Sequence, residues 1–69
     1  MSFTAEDVAE IETDLIVEAV WRRYGYDFRD YSRPSLQRRL ERAQSHFDCG
    51  SLSELQHRLL HDVGTLPAL

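Results

Sequence analysis

The chain has no lysine, a single cysteine (Cys49), three glycines and two prolines. One cysteine excludes an intramolecular disulfide and a multi-cysteine zinc site, and it fits a reducing compartment. No run approaches the roughly 18 apolar residues that a membrane-spanning helix needs. The N-terminus also lacks the basic-then-apolar pattern of a signal peptide. We therefore expect a cytoplasmic protein that does not insert into a membrane.

Length limits the architecture. With 69 residues and 42% hydrophobic content, the chain can form one small core, so residues 1–69 are predicted to be a single domain. Ordering such a chain costs roughly 1.5 kcal/mol per residue, so a lone core of this size leaves little net stability. The domain should be marginally stable or should depend on a partner.

The charges are segregated along the chain. The net charge of −4 argues against a general polyanion binder. However, residues 1–18 hold six of the 12 acids and no base, so residues 19–69, with six acids and eight bases, carry +2. All eight bases are arginine, whose planar fork suits carboxylates and phosphates. A genome-wide bias in composition would also explain the missing lysines, so composition leaves this choice open.

The periodicity predicts an all-α fold, a small bundle of three to four helices, because extended apolar/polar alternation is absent. The first helix is predicted from about Ile11 to Tyr24, with Thr13 as a candidate N-cap and Gly25 as a left-handed terminator. Residues 1–10 are open: Thr4 and Asp7 loosely resemble a capping box, so this segment could extend the helix or fray. Apolar residues cover more than half of this helix, which one small neighbour cannot bury. They are Leu15, Ile16, Val17, Ala19, Val20, Trp21 and Tyr24.

Two further helices follow an aromatic connection in which we expect the rings of Tyr26, Phe28 and Tyr31 to fill the space between helices. The second helix is predicted from Arg33-Pro34 to about Phe47, ended by Gly50. Its apolar stripe is Leu36, Leu40, Ala43 and Phe47. Residues 51–54 form a capping box for a third helix ended by Gly64, with a core row of Leu52, Leu55, Leu59 and Val63. Residues 65–69 resemble the start of a truncated fourth helix.

The candidate functional residues lie on the second helix. Viewed down the helix axis, an arc roughly 60 to 170° from the apolar stripe contains Arg38, Arg39 and Arg42. His46 lies on the same arc. Such an array suits an elongated anionic partner: an acidic helix, a carboxylate-rich peptide or a nucleic-acid backbone. An ordinary solvated face is the alternative. Like charges four residues apart, as at Arg38 and Arg42, cost a few tenths of a kcal/mol and favour a role beyond solubility.

Two segments together carry a resemblance to a known family. Residues 11–28 (IETDLIVEAVWRRYGYDF) and 31–42 (YSRPSLQRRLER), followed by the capping box, closely resemble the N-terminal all-α domain of CheR-type chemotaxis receptor methyltransferases. The resemblance implies that this domain precedes an α/β domain in the parent enzyme. That α/β domain would bind S-adenosylmethionine and methylate glutamates of chemoreceptor helices in signal transduction. That α/β domain is absent, so this chain alone should not be an enzyme and should bind no cofactor or metal.

The resemblance also implies a receptor-facing surface. Arg39 and Arg42, with Arg38 beside them, match the basic helix that is thought to face the acidic methylation region of the receptor. Arg33 and His46 are additional candidate contacts, although Ser32 and Arg33 stand where many relatives have a lysine. The implied partners are chemoreceptor cytoplasmic helices and the catalytic domain of the same enzyme. The first helix, which has more apolar surface than this domain can bury, would pack on that catalytic domain. A fold-back of residues 1–10 or a homodimer seam could cover that helix instead.

Two other functions use the same arginines. A small helical DNA-binding domain could place the arginine-rich helix in the major groove, although the net charge and the long aromatic connection argue against it. A regulatory domain that responds to an anionic nucleotide is the other alternative, but no glycine nest accompanies the arginines.

His57 and His61 have a metal-ligand spacing without a third ligand, and Cys49 beside His46 lacks an orienting acid. We interpret these as a solvent-facing pair and a spacer cysteine, and Trp21 as a packing residue.

Overall fold

The computed structural model describes residues 5–69. This part of the chain forms three α-helices and one short 3-10 helix, joined by loops. They are α1 (Ala5–Tyr24), α2 (Arg33–His46), α3 (Leu52–His61) and the 3-10 helix (Leu66–Ala68). Because these residues form no strand, the all-α prediction is confirmed. The segment predicted as a truncated fourth helix is the 3-10 turn. No helix within residues 5–69 is both long and apolar enough to cross a membrane.

The first helix is longer than predicted, because it begins at Ala5 rather than Ile11. The prediction of Thr13 as its N-cap is wrong: Thr13 is fully buried inside the helix, and its hydroxyl donates to the Ala9 carbonyl at 2.7 Å. A threonine hydroxyl can bond the carbonyl four residues earlier, which satisfies it without a helix end. Residues 5–10 therefore extend the helix and do not fold back over it. Thr4, one half of the predicted Thr4–Asp7 pair, lies outside the described residues.

Gly25 ends α1 as predicted. Its φ of +70° is in the left-handed region, where a side chain would be strained. Its N–H donates to the Trp21 carbonyl at 2.8 Å and thereby closes the last turn.

Only one of the three rings in the connection is in the core. Phe28 is 3% exposed, whereas Tyr26 is 47% exposed and Tyr31 is half-buried. The two tyrosine rings pack against Phe28 at centroid distances of 4.9 Å and 5.4 Å. The expectation that all three rings fill the space between helices is therefore right for Phe28 and wrong for Tyr26, whose hydroxyl favours solvent.

The ends of α2 follow the prediction closely. The helix begins at Arg33 with Pro34 in its first turn, and Phe47 is its C-cap. The chain then reverses at Asp48, a non-glycine residue with φ +55°, so Gly50 is not the terminator that we predicted. Aspartate tolerates this conformation better than most residues, because its short polar side chain can bond locally.

The capping box of α3 is present with one change. Ser51 Oγ accepts from the Glu54 N–H at 3.2 Å, as predicted. The Glu54 carboxylate accepts from the Gly50 N–H at 2.6 Å and not from Ser51. A third contact comes from α1: Glu12 Oε2 accepts from the N–H and the hydroxyl of Ser53 at 2.9 Å and 2.6 Å.

The core forms where the three helices meet, with α1 packed chiefly on α3. The Tyr24 hydroxyl links these two helices by donating to the Leu59 carbonyl. Val63 is not in the core as predicted: α3 ends at His61, two residues earlier, and leaves Val63 64% exposed. The buried apolar cluster comprises Ile16, Val20, Phe28, Leu36, Leu40, Ala43, Leu52, Leu55 and Leu59.

Candidate functional site

The arginine surface, which we define as Arg38, Arg39 and Arg42, lies along α2 on the side away from the core. The apolar stripe of Leu36, Leu40 and Ala43 is buried. Because an α-helix turns about 100° per residue, burial of this stripe directs the arginines away from the core. Arg38 and Arg42 are exposed and Arg39 is half-buried, as expected for an arc that begins next to the stripe.

Arg39 is held in place by Tyr31. Its Nη1 donates to the Tyr31 hydroxyl at 3.1 Å, and its guanidinium carbon lies 5.5 Å from the centroid of the Tyr31 ring. The ring contact adds a cation–π attraction to the hydrogen bond.

Arg38 and Arg42 have no side-chain hydrogen bond or ion pair with any residue that the structure describes. Glu41 lies beside them and lines the same shallow recess, together with Ser45, without forming an ion pair within 4.0 Å. Two positive charges on the exposed face of α2 are therefore not paired with any acid that the structure describes.

A second recess joins the arginine surface to the end of the described chain. Ala68 and Leu69 face Arg39, Arg42 and His46 across it. The surface is therefore bordered on one side by apolar atoms. Sequence periodicity did not predict this border, because it comes from a segment that is distant along the chain.

The two additional candidates, Arg33 and His46, are placed differently. Arg33 forms an ion pair with Asp14 of α1, and it lies on the opposite side of the apolar stripe from Arg39. It therefore joins two helices and does not extend the arginine surface. His46 does lie at that surface, exposed, with its ring edge-on to Phe47 at 4.8 Å.

Comparison with known proteins assigns the chain. Residues 11–69 match the family model described as "CheR methyltransferase, all-alpha domain". The chain is also 48% identical over 61 residues to a Pseudomonas putida KT2440 protein named "Putative methyltransferase Cher3", covering 88% of this chain and 22% of that protein. No solved structure matches.

The chain belongs to the CheR methyltransferase family. It spans about a fifth of the length of the curated relative that it matches, and the matched part is the family's all-alpha domain. These 69 residues do not themselves contain the family's catalytic domain. The resemblance inferred from residues 11–28 and 31–42 is thereby confirmed.

The residues of this CheR domain do not fit a site for S-adenosylmethionine. Doubly wound domains hold an adenosine cofactor at a glycine-rich turn between a strand and a helix. Residues 5–69 contain no strand, and the three glycines stand singly at helix ends or in loops. No chemical step is therefore assigned to this domain.

Sequence reasoning missed the two tyrosines beside the arginine surface. The Tyr26 and Tyr31 hydroxyl oxygens lie 3.4 Å apart. The pKa of Tyr31 is lowered by the hydrogen bond with Tyr26 and then by the contact with Arg39, while the same tyrosine pair raises the pKa of Tyr26. The available signal was an aromatic connection directly before a basic helix, which we interpreted only as packing.

The weaker candidates are exposed or half-buried. The His57 and His61 rings lie 4.4 Å apart on exposed residues, as expected of a solvent-facing pair. Within residues 5–69 no group of three or more metal-ligating side chains occurs. Cys49 is half-buried, and its thiol approaches the Phe47 carbonyl at 3.9 Å. Trp21 differs from the prediction of a packing residue: it is 44% exposed, with the Arg29 guanidinium stacked on its ring at 4.9 Å.

Proposed function

We propose that this domain recognises acidic helices of chemoreceptors through the arginine surface of α2. In this proposal it serves as the N-terminal substrate-recognition domain of a cytoplasmic, S-adenosylmethionine-dependent protein-glutamate methyltransferase that acts in chemotaxis. The domain binds the receptor, while the catalytic domain of the parent enzyme transfers the methyl group. Membership of the CheR family supports this assignment.

The observation that carries the proposal is the lack of acidic partners for Arg38 and Arg42. The chain has 12 acids and eight bases, yet these two exposed arginines pair with none of the described acids. Of the other arginines, Arg29, Arg33 and Arg58 each lie within 4.0 Å of an aspartate, whereas Arg22, Arg23 and Arg39 pair with no described acid. Two arginines without acidic partners thus stand on adjacent turns of one face of α2, where a ligand can supply the missing negative charge.

The geometry favours an elongated partner with carboxylates on one side. Positions 38 and 42 lie on adjacent turns of one helical face and position 39 borders it, and each guanidinium can form a bidentate pair with a carboxylate. Charge complementarity of this kind raises the association rate and sets the register more than it raises affinity. A helix with several glutamates on one face fits this pattern.

The test is a titration of the 69-residue chain with a helical peptide of a receptor methylation region in its all-glutamate form. An all-glutamine twin, a random DNA duplex and an anionic nucleotide (ATP) serve as parallel ligands. We expect salt-sensitive binding of the glutamate form only. Each of Arg38→Ala and Arg42→Ala should weaken binding by about two- to fivefold, the effect of one exposed ion pair.

Arg22→Ala is the matched control, because Arg22 is an exposed arginine on α1 and its loss changes the net charge equally. It should leave the affinity almost unchanged. Equal losses at Arg22 and Arg42 would show a non-specific charge effect and would contradict the proposal. Preferential binding of DNA or the nucleotide would replace it with one of the two alternative functions.

The parent enzyme supplies a second proposed partner. Val8, Ile11 and Leu15 are each about half exposed along one side of α1. Burial of such an apolar stripe is favourable, and the catalytic domain of the parent enzyme is the partner that we propose for it. The arginine surface on α2 would then stay available to the receptor.

A further inference from the structure

Tyr31 is anchored to the core of the domain. Its N–H donates to the Phe28 carbonyl at 3.1 Å, and its ring meets the buried Phe28 ring edge-on at 5.4 Å. Phe28 is 3% exposed and belongs to the core. The hydroxyl that accepts from Arg39 is therefore connected to the core through two side chains.

Arg39 differs from the other two members of the arginine surface because of this contact. An arginine side chain loses conformational entropy when a ligand immobilises it, which weakens binding. For Arg39 part of that loss has already occurred in the free domain, through the hydrogen bond and the ring contact with Tyr31. The guanidinium still has other N–H donors for a ligand, since only Nη1 is used.

Tyr26 forms a wall beside Arg39. The ring is 47% exposed and packs on Phe28 at 4.9 Å, and its hydroxyl lies 3.4 Å from that of Tyr31. Arg39 and the two aromatic rings of Tyr26 and Phe28 line a recess with Leu66, Pro67 and Leu69. A guanidinium beside apolar walls matches the chemistry of a glutamate side chain, which has a carboxylate head on an aliphatic stem.

We propose that Tyr26, Tyr31 and Arg39 form a preformed subsite for one carboxylate side chain of the acidic helix. Arg39 binds the carboxylate, Tyr31 is a positioning residue for Arg39, and Tyr26 contacts the stem of the bound side chain. Arg38 and Arg42 then add exposed ion pairs with further carboxylates, whereas Arg39 sets the register of the partner. This inference rests on the proposed function and names residues outside α2 that take part in it.

The experiment repeats the titration with the all-glutamate helical peptide, using Tyr31→Phe, Arg39→Ala and the double variant. Tyr31→Phe retains the ring on Phe28 and removes only the hydroxyl. We expect it to weaken binding about three- to tenfold, the effect of losing one ordinary intramolecular hydrogen bond. In the Arg39→Ala background the same change should have no further effect, because the hydroxyl acts through Arg39.

Two more variants separate positioning from general structure. Tyr24→Phe is the matched control: it removes a hydroxyl that bonds the Leu59 carbonyl, so it should lower stability without altering the affinity. Tyr26→Ala removes an exposed ring, and we expect weaker binding with unchanged helix content by circular dichroism. In the free domain, ¹⁵N relaxation of the arginine Nε–H groups should show Arg39 more ordered than Arg38 and Arg42, and Tyr31→Phe should abolish that difference.

The outcomes separate the two proposals. If the unaltered chain does not bind the peptide, the proposed function fails and the subsite fails with it. If the unaltered chain binds and Tyr31→Phe binds equally well, only the subsite is overturned. An equal loss from Tyr31→Phe with and without Arg39 would show that Tyr31 does not act through Arg39, which would also overturn the subsite.

Discussion

Asp27 and Arg29 show how strongly two residues in a loop can perturb each other. Asp27 Oδ1 accepts from the backbone N–H of Arg29 at 2.8 Å and from its Nε at 2.9 Å, and Oδ2 accepts from Nη2 at 3.0 Å. The guanidinium also stacks on Trp21. This cluster orients the start of the aromatic connection, at the opposite end from Tyr31.

These hydrogen bonds change the titration of the Asp27 carboxyl. The side-chain bond from Arg29 lowers the pKa of Asp27 below its ordinary value of 3.8, and the backbone bond adds to the effect. Because the pKa is depressed in the folded state, the pair contributes stability above the unfolded pKa and loses it as pH falls through the folded value. We expect Arg29→Ala to raise the Asp27 titration midpoint towards 3.8, measured by carboxyl ¹³C NMR.

Arg22→Ala provides the matched control for this measurement, since it removes an exposed arginine that forms no ion pair within 4.0 Å among the described residues. The Asp27 midpoint should move much less in this variant than in Arg29→Ala. An Asp27 midpoint that does not move would show that the contact is absent in solution.

At the scale of elements, the N-terminus of α3 depends on a side chain from α1. Ser51 satisfies the N–H of Glu54, and Glu12 satisfies the N–H of Ser53. A negative charge at this end of a helix also interacts favourably with the helix dipole. Glu12 therefore stabilises α3 and fixes how α1 lies against it.

We expect Glu12→Ala to lower the free energy of unfolding by about 1–2 kcal/mol, the effect of losing a helix cap. Glu12→Gln should cost less, because the amide oxygen can still accept from Ser53. Urea unfolding followed by circular dichroism measures both. Glu10→Ala, at an exposed position of the same helix, is the control; a cost equal to that of Glu12→Ala would contradict the capping role.

At the scale of the whole molecule, α1 presents two apolar sides and only one is buried. Ile16 is fully buried in the core, while its neighbour Leu15 is 48% exposed. The exposed side includes Val8 and Ile11. The small core of three helices uses one side of α1, and the other side stays exposed.

The pair Leu15 and Ile16 tests this division. Ile16→Val, which removes one methylene from the core, should cost about 0.5–1.5 kcal/mol. Leu15→Ala removes more atoms but should change the free energy of unfolding by no more than about 0.5 kcal/mol, as at other surface positions. Urea unfolding at several protein concentrations measures both changes. If Leu15→Ala costs more than Ile16→Val and unfolding depends on protein concentration, the face is a seam between two copies of the chain.

The elements themselves could be predicted, because their signals are local. Gly25 at a left-handed position, Pro34 in a first turn and Ser51 with Glu54 at a cap each act within about four residues. The apolar stripe of α2 was correct for the same reason. The errors at Thr13 and Val63 arose where the same local sequence is compatible with two structures. A threonine hydroxyl can cap a helix or bond to a carbonyl inside it, as Thr13 does. A helix can also end before the glycine that follows it, as α3 does at His61.

The arginine surface was partly predictable. Helical periodicity placed Arg38, Arg39 and Arg42 on one arc, but Arg33 was also a candidate contact. Only the fold pairs Arg33 with Asp14, 19 residues away, and leaves Arg38 and Arg42 without acids. Ion pairing between helices depends on their packing, which periodicity does not contain.

The sequence by itself therefore determined the all-α class, the approximate ends of the helices and the face of α2 that carries positive charge. These properties follow from backbone preferences and the roughly 100° step of the helix. The tertiary structure alone decided that Tyr31 holds Arg39, that Glu12 caps α3 and that one side of α1 stays exposed. Those contacts join residues from separate elements, so they exist only once the core has set the distances between helices.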